Sequence, residues 1–124
     1  IMSSKHILVV DDDPGVLEIV QEVSEQLGFD VTVAHDSAEF KALYAAAIPD
    51  LIVLDLVMPD EDGIDLMRYL AEKKCSSKLI IMSGYNPLYL RSSETLARDW
   101  GLSFTAVLTK PFDLEVLEAA LLAA

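Results

Sequence analysis

Basic residues are scarce in this chain: Lys and Arg together number nine against 21 Asp and Glu, a formal net charge of −12. The nine are scattered rather than clustered, so the footprint that direct nucleic-acid binding requires is missing, and an anionic membrane surface would repel the chain. Cysteine is scarcer still. Cys75 stands alone, which excludes an intrachain disulfide and makes the cytoplasm the expected setting. No apolar run approaches the roughly 20 residues needed to span a bilayer, and no secretory leader is visible. Gly/Ser linkers, low-complexity tracts and internal repeats are absent, so the 124 residues read as one domain. Ile1 before Met2 reads as a cloning remnant; residues 1–4 are taken as that or a disordered N-terminus, and residues 5–124 as the domain.

What is present is an alternation of two textures. Short runs rich in Val and Ile occur at HILVV (6–10), DVTVA (30–34), DLIVL (50–54), KLIIM (78–82) and FTAVL (104–108). Several are apolar at consecutive positions, as in parallel strands covered on both faces. Helical patterns lie between them. Val16, Ile19, Val20, Val23 and Leu27 recur at steps suited to one helix face, with Pro14 in the first turn and Gly28 at the stop. Further helices are expected over 37–46, 64–73 and 88–100 and from Asp113 onward, where an acidic residue suits the helix dipole. Five strands alternating with five helices predict a three-layer α/β sandwich.

In such a sheet, ligands collect beyond the carboxyl ends of the strands, where the strand order reverses. Asp11, Asp12 and Asp13 follow the first strand, Asp55 the third, Ser83 the fourth and Lys110 the fifth. Each has a bland reading. Asp13 before Pro14 is a helix N-cap, Asp11 and Asp12 a solvated edge, Asp55 and Ser83-Gly84 turn residues, and Lys110-Pro111 a solvated lysine at a bend. Taken together, four strands would deliver acids, a hydroxyl and an ammonium to one edge. Phosphoryl transfer to a carboxylate needs that set. Clustered acids are costly until a divalent cation neutralises them, and hard oxygen ligands suit Mg2+, or Mn2+. Asp55 would be the nucleophile, with the cation, Lys110 and Ser83 taking up charge on the phosphoryl oxygens.

The pieces VVDDDP, IVLDLVMPDEDG, IMSG and LTKPF stand in an order and spacing that resemble the receiver domain of bacterial two-component response regulators, over essentially the whole chain. The resemblance implies a doubly wound, flavodoxin-like (βα)5 sandwich with a parallel sheet in the order 2-1-3-4-5. It implies that Asp55 is the phosphoacceptor and that Asp11 and Asp12 are the acidic pair, the second holding Mg2+ directly and the first largely through water. The backbone carbonyl of Val57 is then the third protein ligand of the metal. Ser83 is the switch hydroxyl and Lys110 the phosphate-binding lysine, and Pro111 follows in a cis bond that aims the ammonium inward. The implied partners are a sensor histidine kinase or phosphotransfer protein, and an output domain in the same chain or a partner protein. A second copy of the chain is a further candidate partner. Catalysis is expected only as self-phosphorylation and autodephosphorylation.

The chain also departs from the family pattern. An aromatic residue commonly stands three positions before the lysine; here it is Val107, and Phe104, three residues further back, is expected to face the other way. Val57 and Tyr85 stand where polar side chains can assist a hydrolytic water, and their apolar and aromatic character suggests slow autodephosphorylation. The segment 86–104 is long for a fourth helix and its flanks. Its Arg91, Arg98 and Trp100 read either as the surface and anchor of an elongated helix or as a partner surface. It is similar, more softly, to receivers attached to EAL-type cyclic-di-GMP phosphodiesterase outputs. Three other readings compete. One is a haloacid-dehalogenase-like phosphatase using Asp11 in a D-x-D. Another is a flavodoxin-type FMN binder, which would want a phosphate loop rather than carboxylates. The last is a receiver that binds protein without being phosphorylated.

Overall fold

The computed structural model describes residues 5–84 and 87–124. Its elements run β1 (His6–Val10), α1 (Pro14–Gln26), β2 (Asp30–Ala34), α2 (Ser37–Ala46), β3 (Leu51–Asp55), α3 (Gly63–Glu72), β4 (Lys78–Ser83), α4 (Pro87–Asp99), β5 (Ser103–Thr109) and α5 (Leu114–Ala123). The strands pair in parallel in the order β2-β1-β3-β4-β5, as expected. Element ends differ from the sequence expectation by a residue or so. Asp55 and Ser83, for example, are the last residues of their strands rather than the first residues beyond them.

The unbroken apolar runs of the central strands follow from burial on both faces. All five residues of β3 are buried. Side chains alternate between two cores because successive residues of a strand point to opposite faces. Leu8, Val10, Ile52 and Leu54 join Phe40 of α2, Leu66 and Met67 of α3 and Leu90 of α4. Ile7, Val9, Leu51 and Val53 join Leu17 and Val20 of α1 and Leu117 and Leu121 of α5. Burying each such Leu or Ile contributes roughly 2 kcal/mol.

One expectation is corrected here. Phe104 and Val107 do not face opposite ways: both pack against the core on the α2–α3–α4 side, while Ala106 and Leu108 face the other core. The ladder between β4 and β5 shifts register, pairing Leu79 with Phe104 but Ile80 with Ala106. Thr105 is the inserted residue, and one extra residue resets the two-residue parity of the strand.

Helix ends follow the capping chemistry of the sequence. Asp13, Asp36 and Asp62 each accept a backbone N–H of the turn that follows, whereas Asp113 precedes α5 without such a bond. Gly28, at φ 92°, adopts the left-handed conformation that ends α1, as its position predicted.

Within α1, two side chains act in opposite directions. The Asp13 carboxylate accepts the Gly15 N–H at 2.9 Å. Ser24 is fully buried, and its hydroxyl is the one buried side-chain group without a hydrogen-bond partner among the described residues. We therefore expect Asp13→Ala to lower stability by about 1 kcal/mol. Ser24→Ala should raise it by about 1 kcal/mol, since an unsatisfied buried hydroxyl is removed. Urea unfolding midpoints of the two variants, shifted in opposite directions, are the check.

Candidate functional site

The sheet ladder runs slightly past the formal strand ends and so delivers the polar residues in register. Asp11 N–H donates to the Ala34 carbonyl at 3.2 Å, Leu56 N–H to Met82 at 3.0 Å, and Lys110 N–H to Ser83 at 2.9 Å. β1 and β3 are neighbours while β2 lies on the far side of β1, so the order reverses between Asp11 and Asp55. That crevice is the place where open α/β sheets bind ligands.

Asp11 and Ser83 are almost fully buried and Asp55 is 3% exposed, whereas Asp12 faces solvent. Lys110 Nζ donates to Asp11 Oδ2 at 2.6 Å and lies 3.5 Å from Asp55 Oδ2. The second oxygen of Asp11 accepts the Asp13 N–H at 2.9 Å, and Asp55 Oδ1 accepts the Val57 N–H at 3.2 Å. Asp11 holds the shorter contact with Lys110, and Asp55 the looser one. The Lys110–Pro111 peptide is cis, as anticipated.

Burial and then the neighbouring Asp11 charge push the Asp55 carboxyl up to about 7, against the opposing pull of Lys110 and the Val57 N–H. Burial acts to lower the Lys110 pKa, but its contacts with Asp11 and Asp55 prevail and the net shift is upward. Lys110 therefore stays an ammonium, and one ammonium faces three carboxyl groups, of which Asp55 is held partly protonated near neutrality.

That surplus of negative charge fits a divalent cation. Asp11, Asp12 and Asp55 each bring a carboxylate oxygen to within 4.8 Å of the others. Hard, anionic oxygens around a partly open crevice of about 320 Å3, which Val57 and Ser83 also line, suit Mg2+ or Mn2+.

The segment 57–62, between β3 and α3, is held at several points. Val57 and Asp62 form an antiparallel bridge, and Gly63 N–H donates to the Leu56 carbonyl at 2.8 Å. A Cβ on Gly63 would lie 2.4 Å from the Leu56 Cα, so this approach of backbone to backbone admits only glycine. Asp60 accepts the Ser37 N–H at 3.0 Å and the Ser37 hydroxyl at 2.5 Å; these bonds, led by the hydroxyl, hold its carboxyl below the usual range. Lys41 Nζ donates to Glu61 at 2.8 Å. On the other side, the Tyr89 hydroxyl of α4 donates to Asp62. These pins escaped sequence reasoning because they join elements far apart in the chain; the Asp-Gly pair at 62–63 was the one signal available.

The α4 residues diverge. Arg91 and Arg98 are exposed, and the Arg98 guanidinium lies 5.1 Å from the Phe104 ring centroid. Trp100 instead packs at the edge of the core with the Arg68 guanidinium 5.4 Å from its ring. Tyr85 lies outside the described residues.

Residues 7–122 match the family model described as response regulator receiver domain. The chain belongs to the response regulator receiver family. Among relatives, it is 36% identical over 119 residues to the transcriptional regulatory protein TrcR of Mycobacterium tuberculosis, covering 93% of this chain and 43% of that protein. It is 32% identical over 118 residues to the DNA-binding transcriptional regulator NtrC of Rhizobium meliloti, covering 94% of this chain and 23% of the relative. The receiver thus spans less than half the length of either. A crystal structure of a response regulator from Colwellia psychrerythraea superposes with a TM-score of 0.84 at 36% identity, over 97% of this chain and 95% of that one. The receiver is accordingly a signalling domain of two-component phosphorelays. No helix among the described residues is long and apolar enough to cross a membrane.

The raised Asp55 pKa has a thermodynamic consequence. Its folded value of about 7 lies above the ordinary 3.8, so the native state holds a proton that the unfolded state releases. Stability from this group is therefore present at low pH and lost as pH rises between the two values. A cation bound to the ionised carboxylates would offset the loss. The metal-free receiver should melt at lower temperature at pH 8 than at pH 5, Mg2+ should raise the melting temperature more at pH 8, and Asp55→Asn should flatten both dependences. Melting curves with Mg2+ or a chelator measure this, and an equal Mg2+ effect at both pH values would contradict it.

Proposed function

We propose that this receiver accepts a phosphoryl group on Asp55, in a site that holds Mg2+ through Asp11, Asp12, Asp55 and the backbone carbonyl of Val57. The observation that carries the reading is the convergence of three carboxylates and the Lys110 ammonium at the β1/β3 crevice. When bound, the cation would supply charge neutralisation that lets an anionic phosphoryl group approach the acids. The rest falls to this chain's own groups. A carboxylate oxygen of Asp55 attacks phosphorus in line. The P–N bond of a phosphohistidine, or the P–O bond of a small acyl phosphate, breaks, and the leaving group departs with the electron pair. Lys110 and the Ser83 hydroxyl donate to the phosphoryl oxygens as charge builds there. Val57, about half exposed at the rim, presents an apolar side chain where a polar one could orient a hydrolytic water, which supports slow autodephosphorylation.

The donor we propose is a sensor histidine kinase or phosphotransfer protein. Beside Lys110, a groove is lined by Val16 and Ile19 of α1 and by Phe112 and Leu114. Ile19 and Leu114 are exposed large apolar residues, and such a rim next to the acceptor suits protein docking. The recipient of the signal is an output domain, in the same chain or in a partner.

Incubation of the purified receiver with acetyl phosphate and Mg2+ should add one phosphoryl group, detected by intact-mass measurement, on Asp55. Asp55→Asn or chelation of the metal should abolish it. Labelling of Asp55→Asn at the wild-type rate, or modification of Asp11 instead, would refute the assignment.

A further inference from the structure

The Tyr89–Asp62 bond joins two elements that diverge from the site. Asp62 closes the segment after Asp55, while Tyr89 stands in the first turn of α4, six residues beyond Ser83. Asp62 carries three duties at once, two through its carboxylate and one through its backbone. Its Oδ1 accepts the Ile64 N–H at 2.9 Å, capping α3, and the Tyr89 hydroxyl as well. Its backbone bridges Val57, the residue proposed to turn a carbonyl toward the cation. The α2 side of the segment is secured by Asp60 with Ser37 and by Glu61 with Lys41, and on the α4 side the Tyr89 hydroxyl reaches it. The Tyr89 ring is partly buried against the hydrophobic core, which places its hydroxyl at the rim.

We propose that Tyr89 is a positioning residue: through Asp62 it holds the 57–62 segment in the conformation that offers the Val57 carbonyl, and so links cation binding to the first turn of α4. The inference rests on the reading of the acidic cluster as a Mg2+ site. Linkage makes the coupling reciprocal, since a contact that favours the cation-binding conformation is itself favoured by the cation. The position three residues before Lys110 carries Val107, which has no hydroxyl to offer, and the Tyr89–Asp62 bond supplies a polar connection between the rim and α4.

The test uses Mg2+ alone, titrated calorimetrically into wild type, Tyr89→Phe and Asp62→Ala, with thermal unfolding of the metal-free proteins alongside. Tyr89→Phe keeps the ring and removes only the hydroxyl. It should weaken Mg2+ binding roughly fivefold or more, a typical size for coupling between sites. Combining it with Asp62→Ala should cost no more than Asp62→Ala alone, because the two share one bond. In wild type, Mg2+ should slow amide hydrogen exchange in a peptide covering residues 87–93, and in Tyr89→Phe it should not. A lowered melting temperature with unchanged Mg2+ affinity would assign Tyr89 a merely structural role and overturn the proposal. Failure of wild type to bind Mg2+ would overturn both the proposal and the metal reading beneath it. Mg2+ binding by wild type and Tyr89→Phe with equal affinity would overturn this inference alone.

Discussion

The arrangement depends on the attraction between the Lys110 ammonium and the buried Asp11 carboxylate, 2.6 Å apart in space and 99 residues apart in sequence. Burying a carboxylate is expensive unless it is paired and hydrogen-bonded. Asp11 meets both conditions, with Lys110 on one oxygen and the Asp13 N–H on the other. The contact spans the sheet from β1 to the end of β5, which fixes where the ammonium sits relative to Asp55 between them. Asp55 is left with the longer share, 3.5 Å, and its carboxyl rises to about 7. A carboxylate held incompletely compensated has a reason to take up a cation.

The scaffold around this contact divides its work between rigid and adjustable parts. β1 and β3 are packed from both faces by aliphatic side chains, so the positions of Asp11 and Asp55 are set by interior packing. The segment 57–62 is anchored by Met58 in the core and by backbone contacts at Gly63 and between Val57 and Asp62, and the rest of it is held by polar pins nearer the surface. Polar contacts near solvent are individually modest, because water competes for both partners. Whatever binds in the crevice therefore meets two fixed carboxylates and a rim whose hold is weaker.

Much of this was legible in the sequence, for a physical reason. Strands buried on both faces write themselves as apolar runs, and a parallel sheet brings their carboxyl ends to one edge. Asp11, Asp55, Ser83 and Lys110 could thus be gathered before any coordinates, and Asp13 could be told apart as a cap by Pro14 after it. The facing of Phe104 was not legible. A strand's parity is reliable only while its register is unbroken, and nothing in SFTAVLT announces that Thr105 is inserted. The Tyr89–Asp62 contact was hidden too, since a hydrogen bond across 27 residues between two loop-proximal positions leaves no period or motif. The unpartnered hydroxyl of Ser24 could not be foreseen, because a serine at that spacing reads equally well as a half-exposed helix residue.

The placing of Phe104 alters how α4 is attached. With Phe104 turned toward the α4 side, the Arg98 guanidinium lies over its ring, while Trp100 at the helix end receives Arg68 from α3. The far end of α4 is therefore held by cation–π contacts and the near end by the Tyr89 hydroxyl, with Leu90 and Ala97 buried between. Cation–π contacts at exposed sites contribute only about 0.5–1 kcal/mol each. Added negative charge at Asp55 would draw the ammonium of Lys110 away from Asp11, and the same charge acts on a crevice wall continuous with the 57–62 segment. If Tyr89 has the role proposed for it, a change in the crevice would reach α4 through the rim rather than through β5. Val107 need only fill space in the core for that route to operate.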